Sequence, residues 1–229
     1  MIAIIKNVIS EGPGSIEHYF IEHSIPYEIF EAEKGEFPSS LENYKGLVVL
    51  GGPMGVYEME DYPHLRIVSR LIRESINRNL KIFGICLGAQ LIAYTLGAKV
   101  YKGNSGEEIG WHEIELTGDG LRDSLMLSLA KHPSVGDIWR KFKVFHWHGD
   151  TFDLPIGTVR LARSFLYENQ AFRYKDNVYA LQFHIEVTED MLKEWFKDHP
   201  LREKILNEAE KLIPEYSQRA NNFYRTLFG

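Results

Sequence analysis

A chain of 229 residues with a single cysteine cannot close a disulfide on itself. Its cysteine usage gives no argument for an oxidising compartment. No apolar run is long enough to cross a membrane. The N-terminal stretch Met1–Ile5 meets Lys6 at once, which is also too short for a signal-peptide core. A buried first strand is the better reading, and the expected location is the cytoplasm. Basic residues are not in excess either. With 26 Lys and Arg against 32 Asp and Glu, the net charge is −6, so no general attraction to nucleic acid or anionic lipid is expected. The basic residues within Arg66–Arg78 are interrupted by apolar ones and read as a solvated helix face. No internal repeat, low-complexity tract or sharp change of composition divides the chain. Its 44% hydrophobic and 25% charged residues match a soluble globular protein with a sizeable core.

The chain does contain short apolar runs, at Ile2–Ile5, Gly46–Leu50 and Lys81–Ile85, which read as buried strands. Helical patterns alternate with them. Ser15–His23 follows a Gly-Pro-Gly turn, with Ser15 as a candidate cap. Pro63–Asn79 places Leu65, Val68, Leu71, Ile72 and Ile76 at helical spacing. Gly88–Leu96 is expected to be a helix closed by Gly97. Strand-helix alternation predicts an α/β fold, a mostly parallel sheet with helices on both faces. Trp111–Leu116 and parts of Thr158–Ser164 and Gln170–Tyr174 alternate polar and apolar residues, which predicts a small antiparallel sheet. Val178–Phe183 is a further buried run. From Glu189 onward the pattern is helical, broken at Pro200 and Pro214. One domain over residues 1–229 is expected, with 201–229 an appended helical segment.

The strongest local signal is Gly84-Ile85-Cys86-Leu87-Gly88-Ala89-Gln90, between an expected strand and an expected helix. A nucleophile elbow needs that layout, because small neighbours let the backbone turn sharply and expose the reacting atom. A helix N-terminus favours an anion, and the thiolate is the attacking form. The N–H of Leu87 could donate to an oxyanion. The blander reading is a buried structural cysteine, which the strand–Gly-x-Cys-x-Gly–helix context disfavours. A thiol nucleophile needs a base, and the base an orienting partner. In Gln182-Phe183-His184-Ile185-Glu186, an extended backbone points His184 and Glu186 the same way. Alone, His-x-Glu is weak; beside the elbow it gains weight. Leu50-Gly51-Gly52-Pro53-Met54-Gly55 offers backbone N–H groups to a ligand. It lacks the lysine of a P-loop and the Gly-x-Gly-x-x-Gly spacing.

These three elements, in this order from Ile2 to about Val187, resemble the class I (triad-type) glutamine amidotransferases, which are flavodoxin-like. The resemblance implies Cys86 as nucleophile, His184 as acid and base, and Glu186 as its orienter. It implies the N–H groups of Gly52 and Leu87 as the oxyanion hole. Gln90 matches a position that holds the substrate glutamine, and Trp147, His148, Gly149 and Asp150 fall in the segment that grips its amino-acid end. Ile185 stands where the family commonly has proline. Related hydrolases and chaperones often place histidine after the cysteine, where this chain has Leu87. In layout the chain resembles the glutaminase part of GMP synthase. It contains no Ser-Gly-Gly-Val-Asp-Ser type motif, so a synthetase partner would be a separate chain. Glu107–Trp111 and His146–Asp150 look more like the stand-alone branch, which includes γ-glutamyl peptidases. The implied substrate is a small γ-glutamyl compound. The implied activity is hydrolysis of its γ-amide through a cysteinyl thioester; the other outcomes are a partner-dependent glutaminase subunit and a non-catalytic docking module.

No cofactor and no metal is expected. His146, His148 and His184 could ligate a metal only if the segment stays extended, and no glutamate follows at a cupin spacing. Trp195, Phe196, Phe223 and Tyr224 read as core, and His18 and His64 as surface residues. No polar set is assignable to the leaving-amine side.

Overall fold

The computed structural model describes all 229 residues. Its first half alternates strand and helix. β1 (Ile2–Lys6) is followed by α1 (Ser15–Glu22), β2 (Tyr27–Glu31), β3 (Gly46–Val49), α2 (His64–Asn77), β4 (Lys81–Ile85) and α3 (Leu87–Thr95). The second half is richer in strands, with β5 (Val100–Lys102), β6 (Glu108–Leu116), α4 (Ser124–Ala130), β7 (Lys141–His148), β8 (Asp150–Phe152), β9 (Thr158–Arg163), β10 (Ala171–Tyr174) and β11 (Val178–Leu181). Two helices, α5 (Glu189–Trp195) and α6 (Arg202–Phe228), close the chain.

Nine strands form one sheet in the order β2-β1-β3-β4-β11-β10-β9-β6-β7, and β5 pairs with β8 separately. The first five run parallel. From β11 outward each neighbour is antiparallel. The antiparallel strands therefore extend the main sheet, and the small separate sheet is β5–β8. The parallel half has flavodoxin-like order, which reverses between β1 and β3, so the loops leaving those strands flank the crevice where such sheets bind ligands.

Four of the parallel strands, β1, β3, β4 and β11, are buried on both faces, which explains their unbroken apolar runs. Ile4, Val48, Phe83 and Leu181 face one core layer with α1, α4 and α6. Ile5, Val49, Ile82 and Ala180 face the other with α2 and α3. Phe223, Tyr224 and Leu227 of α6 sit in the first layer, whereas Ile205, Ala209 and Tyr216 form a third cluster with Phe145 and Phe196.

Two local expectations are corrected. Ser15 does not cap α1; the cap position is Gly14, without a side-chain bond. The Ser15 hydroxyl instead lies 3.0 Å from that of Tyr224. Pro214 does not break the final helix, which runs through it. Proline removes the bond to the carbonyl four residues earlier. Here Glu210 and Pro214 are both exposed, so that carbonyl faces water and the buried side of the helix keeps its packing.

Candidate active site

Cys86 sits between β4 and α3 with φ 53° and ψ −110°, a backbone conformation few side chains adopt. Its neighbours explain how the turn closes. A β-carbon on Gly88 would stand 2.0 Å from the Val49 carbonyl oxygen, and one on Gly84 would stand 2.7 Å from the Gly88 carbonyl. Only glycine lets β3, β4 and α3 come this close. The Cys86 N–H donates to Leu181 O at 2.8 Å, which ties the elbow to β11.

His184 and Glu186 follow β11. His184 Nδ1 lies 2.6 Å from Glu186 Oε1, and both side chains are buried. The other carboxylate oxygen accepts the Ile185 N–H at 3.0 Å, and the His184 N–H donates to Phe145 O at 2.8 Å. Burial works against a charged imidazole, but the Glu186 charge and hydrogen bonds to Cys86 and Glu186 outweigh it, holding His184 well above its ordinary range.

Gly52 lies against Leu87, whose Cδ2 would be 3.0 Å from a β-carbon there. Neither the Gly52 nor the Leu87 N–H bonds another backbone group. Gln90, buried, donates to Gln182 Oε1 at 3.2 Å. Gln182 Nε2 lies 3.8 Å from the Cys86 sulfur, and the sulfur is 3.8 Å from Trp147 O.

A cavity of about 450 Å³ joins Cys86 and His184 to Gly52, Gln90, Trp147, His148, Gly149 and Asp150. Leu87 and Glu186 are not among the residues that line it. Tyr57 reaches Asp150 at 3.4 Å. Glu11, Lys102 and Trp195 also line the cavity; sequence reasoning assigned none of them to the site. Trp195 was expected only in the core, yet its ring lies 5.7 Å from the His184 ring. The one sequence clue to Glu11 was the Gly-Pro-Gly turn after it.

The histidine cluster resolves differently from expectation. His184 takes no part. Glu108 pairs with His148 across β6 and β7, and Gly110 pairs with His146, so Glu108 faces both rings. Glu108 Oε2 lies 3.1 Å from His148 Nε2 and 3.4 Å from His146 Nδ1, and it accepts from Gln170 at 2.6 Å. Burial raises the Glu108 carboxyl, but hydrogen bonds with His146 and His148 outweigh that and hold it below the usual carboxylate range. Burial lowers His146 to about 4, leaving it a neutral ring. These three residues are the set that could hold a metal, their donor atoms lying within 4.8 Å of one another. They form the floor beneath the Trp147–Asp150 segment, since His148 Nδ1 also lies 3.1 Å from Asp150 O. A second cavity, of about 560 Å³, opens between β6 and β9 and shares Glu108 as a lining residue, away from Cys86 and His184.

A cysteine on a strand-to-helix elbow, beside a buried His–Glu pair at the ends of adjacent parallel strands, is the layout of a triad-type amidotransferase. The glutamine amidotransferase class-I family profile matches residues 7–200, and the chain belongs to that family. Among curated relatives, YfeJ of Salmonella typhimurium, a glutamine amidotransferase-like protein, is 34% identical over 154 residues, 66% of this chain and 60% of that protein. Gamma-glutamyl peptidase 4 of Arabidopsis thaliana is 27% identical over 169 residues, 72% of this chain and 64% of that one. A glutamine-hydrolyzing GMP synthase of Brachyspira hyodysenteriae is 34% identical over 65% of this chain, which spans only 26% of the synthase. The chain thus spans less than two thirds of each of these relatives. A crystal structure of a glutamine amidotransferase from Thermotoga maritima superposes with TM-score 0.84 at 35% identity, covering 100% of this chain and 98% of that one. No helix of the chain is long and apolar enough to cross a membrane.

Proposed function

We propose that the chain hydrolyses the γ-amide of glutamine or a related γ-glutamyl compound through a thioester on Cys86. The observation that carries this reading is the His184–Glu186 contact of 2.6 Å beside the Cys86 elbow. The Cys86 thiol passes its proton to His184 and the sulfur attacks the γ-carbonyl carbon. The oxygen becomes an oxyanion facing the N–H groups of Gly52 and Leu87. His184, oriented by Glu186, gives its proton to the leaving nitrogen as the C–N bond breaks. Water then loses a proton to His184 and attacks the thioester, which frees the γ-carboxylate and the thiol. None of these steps calls for a metal.

Gln90 and the Trp147–Asp150 segment are assigned to the free α-amino and α-carboxylate end. A site built to hydrogen-bond such groups rejects analogues lacking them, because its buried partners are left unpaired. The experiment is product analysis with glutamine, glutathione, γ-glutamyl dipeptides and α-blocked glutamine. Release of glutamate from at least one free γ-glutamyl compound, absent in Cys86→Ala, is expected. Wild-type turnover in that variant would refute the nucleophile, and equal rates on α-blocked and free glutamine would refute the head-group assignment.

The similarity to glutamine-hydrolyzing GMP synthases favours a second reading, a glutaminase subunit that delivers ammonia to a separate synthetase. Its mark would be glutamine hydrolysis that rises when the partner chain is added.

A further inference from the structure

The Gly12-Pro13-Gly14 turn is held against the backbone that carries His184 and Glu186. Gly14 has φ +53°, and a β-carbon there would stand 2.1 Å from the Glu186 carbonyl oxygen and 2.7 Å from Met191 Sδ. The Ser15 N–H donates to Glu186 O at 2.8 Å, and the Tyr224 hydroxyl donates to Ile185 O at 3.1 Å. The loop after β1 is therefore fixed, and it presents Glu11 to the cavity. Gly51 marks the spot. A β-carbon on it would stand 2.9 Å from Glu11 Oε2, 3.3 Å from His184 Cε1 and 3.6 Å from Cys86 Cβ. A carboxylate, the base and the nucleophile thus surround one glycine, at the β1/β3 crevice. Burial pushes the Glu11 carboxyl up to about 7, His184 pulling it down and Glu186 pushing it up. Glu58, Lys102, Glu107 and Asp150 are the other charged residues of the cavity.

We propose that Glu11 is the leaving-amine subsite, which admits γ-glutamyl amides of neutral or cationic amines and disfavours leaving groups that carry a carboxylate. This rests on the hydrolytic reading above. His184 delivers its proton to the leaving nitrogen, so a group packed beside that ring borders the leaving group. The scissile N–H can donate to the Glu11 carboxylate, and the departing nitrogen becomes an ammonium next to it. The α-carboxylate of a leaving amino acid would bring a second negative charge to the same wall.

The test compares kcat/KM for γ-glutamyl methylamide, the γ-glutamyl amide of a diamine, and γ-glutamylglycine, at about pH 8.5, where Glu11 is charged. Wild type should prefer the cationic over the anionic compound. Glu11→Gln should shift that ratio roughly tenfold toward the anionic one, the size of a single charge acting at several ångströms in a partly wet site. Glu11→Asp, which keeps the charge, should keep the order. Alkylation of Cys86 reads the same charge without turnover: Glu11→Gln should raise the rate with iodoacetate relative to iodoacetamide. Ratios unmoved by Glu11→Gln in both assays overturn the subsite. Glutamine is run alongside: hydrolysis of glutamine but of none of the three overturns the subsite, whereas hydrolysis of none of the four makes the hydrolytic reading fail, and the alkylation pair then decides Glu11 alone.

Discussion

His184 and Glu186 have unequal parts in the proposed reaction. The imidazole moves the proton and the carboxylate fixes the ring. His184→Ala is therefore expected to cost kcat about 10²- to 10⁴-fold, the usual contribution of general acid–base catalysis. Glu186→Gln should cost less, because the amide oxygen can still accept from Nδ1. Steady-state kinetics on both variants checks the order, and a larger loss in Glu186→Gln would reverse the roles. Glu11 makes a separate prediction, about stability. Its carboxyl is raised to about 7 from an ordinary 4.5, so between those values the folded chain holds a proton that the unfolded chain has released. Stability from this group is fully present below about pH 4.5 and is lost as pH rises through 7. Glu11→Gln lacks this loss. Its stability relative to wild type should grow by about 1–3 kcal/mol across that window, read from urea melts at several pH values. A constant difference would contradict the raised carboxyl.

The elbow makes the clearest prediction for an element. Gly88→Ala would set a methyl group 2.0 Å from the Val49 carbonyl, so β3 or α3 must shift. About 1–3 kcal/mol of stability is expected to go, together with the alignment of Cys86; thermal melting and thiol alkylation measure both. The same element was the most legible in the chain, because strand, glycines, cysteine and helix are contiguous. β4 falls at its expected residues, and β1 and β3 within one residue of theirs, since burial on both faces writes an uninterrupted apolar run. β2 was not legible. It lies at the sheet edge, and in Tyr-Glu-Ile-Phe-Glu the two glutamates break the apolar run. Glu108 and Glu11 were missed for a different reason. Glu108 reaches the histidines only through the register of β6 on β7, and Glu11 reaches His184 only through the packing of its loop. Local spacing encodes neither.

For the whole molecule, the proposed chemistry is separate from the Glu108–His146–His148 floor. A chelator is expected to leave glutamate release unchanged, whatever metal content elemental analysis finds. Stoichiometric zinc with activity abolished on chelation and restored by metal would overturn this. The α/β architecture was readable because the alternation of elements is global. The antiparallel extension was readable only in pieces, because β9, β10 and β11 lie side by side although β6 and β7, their neighbours at the edge, come earlier in the chain.

Cys86 follows β4 and His184 follows β11, and those strands are hydrogen-bonded neighbours. The strands that lead to the sulfur and to the ring thus lie one rung of a sheet apart, about 4.8 Å. Beyond the end of β11 the bond from the His184 N–H to Phe145 O holds the ring-bearing backbone. Loops around the rim can lengthen, shorten or change character while that gauge stays constant. Such a scaffold separates reactivity from address: the rungs keep the proposed chemistry in tolerance, and the rim is free to be rewritten for another substrate.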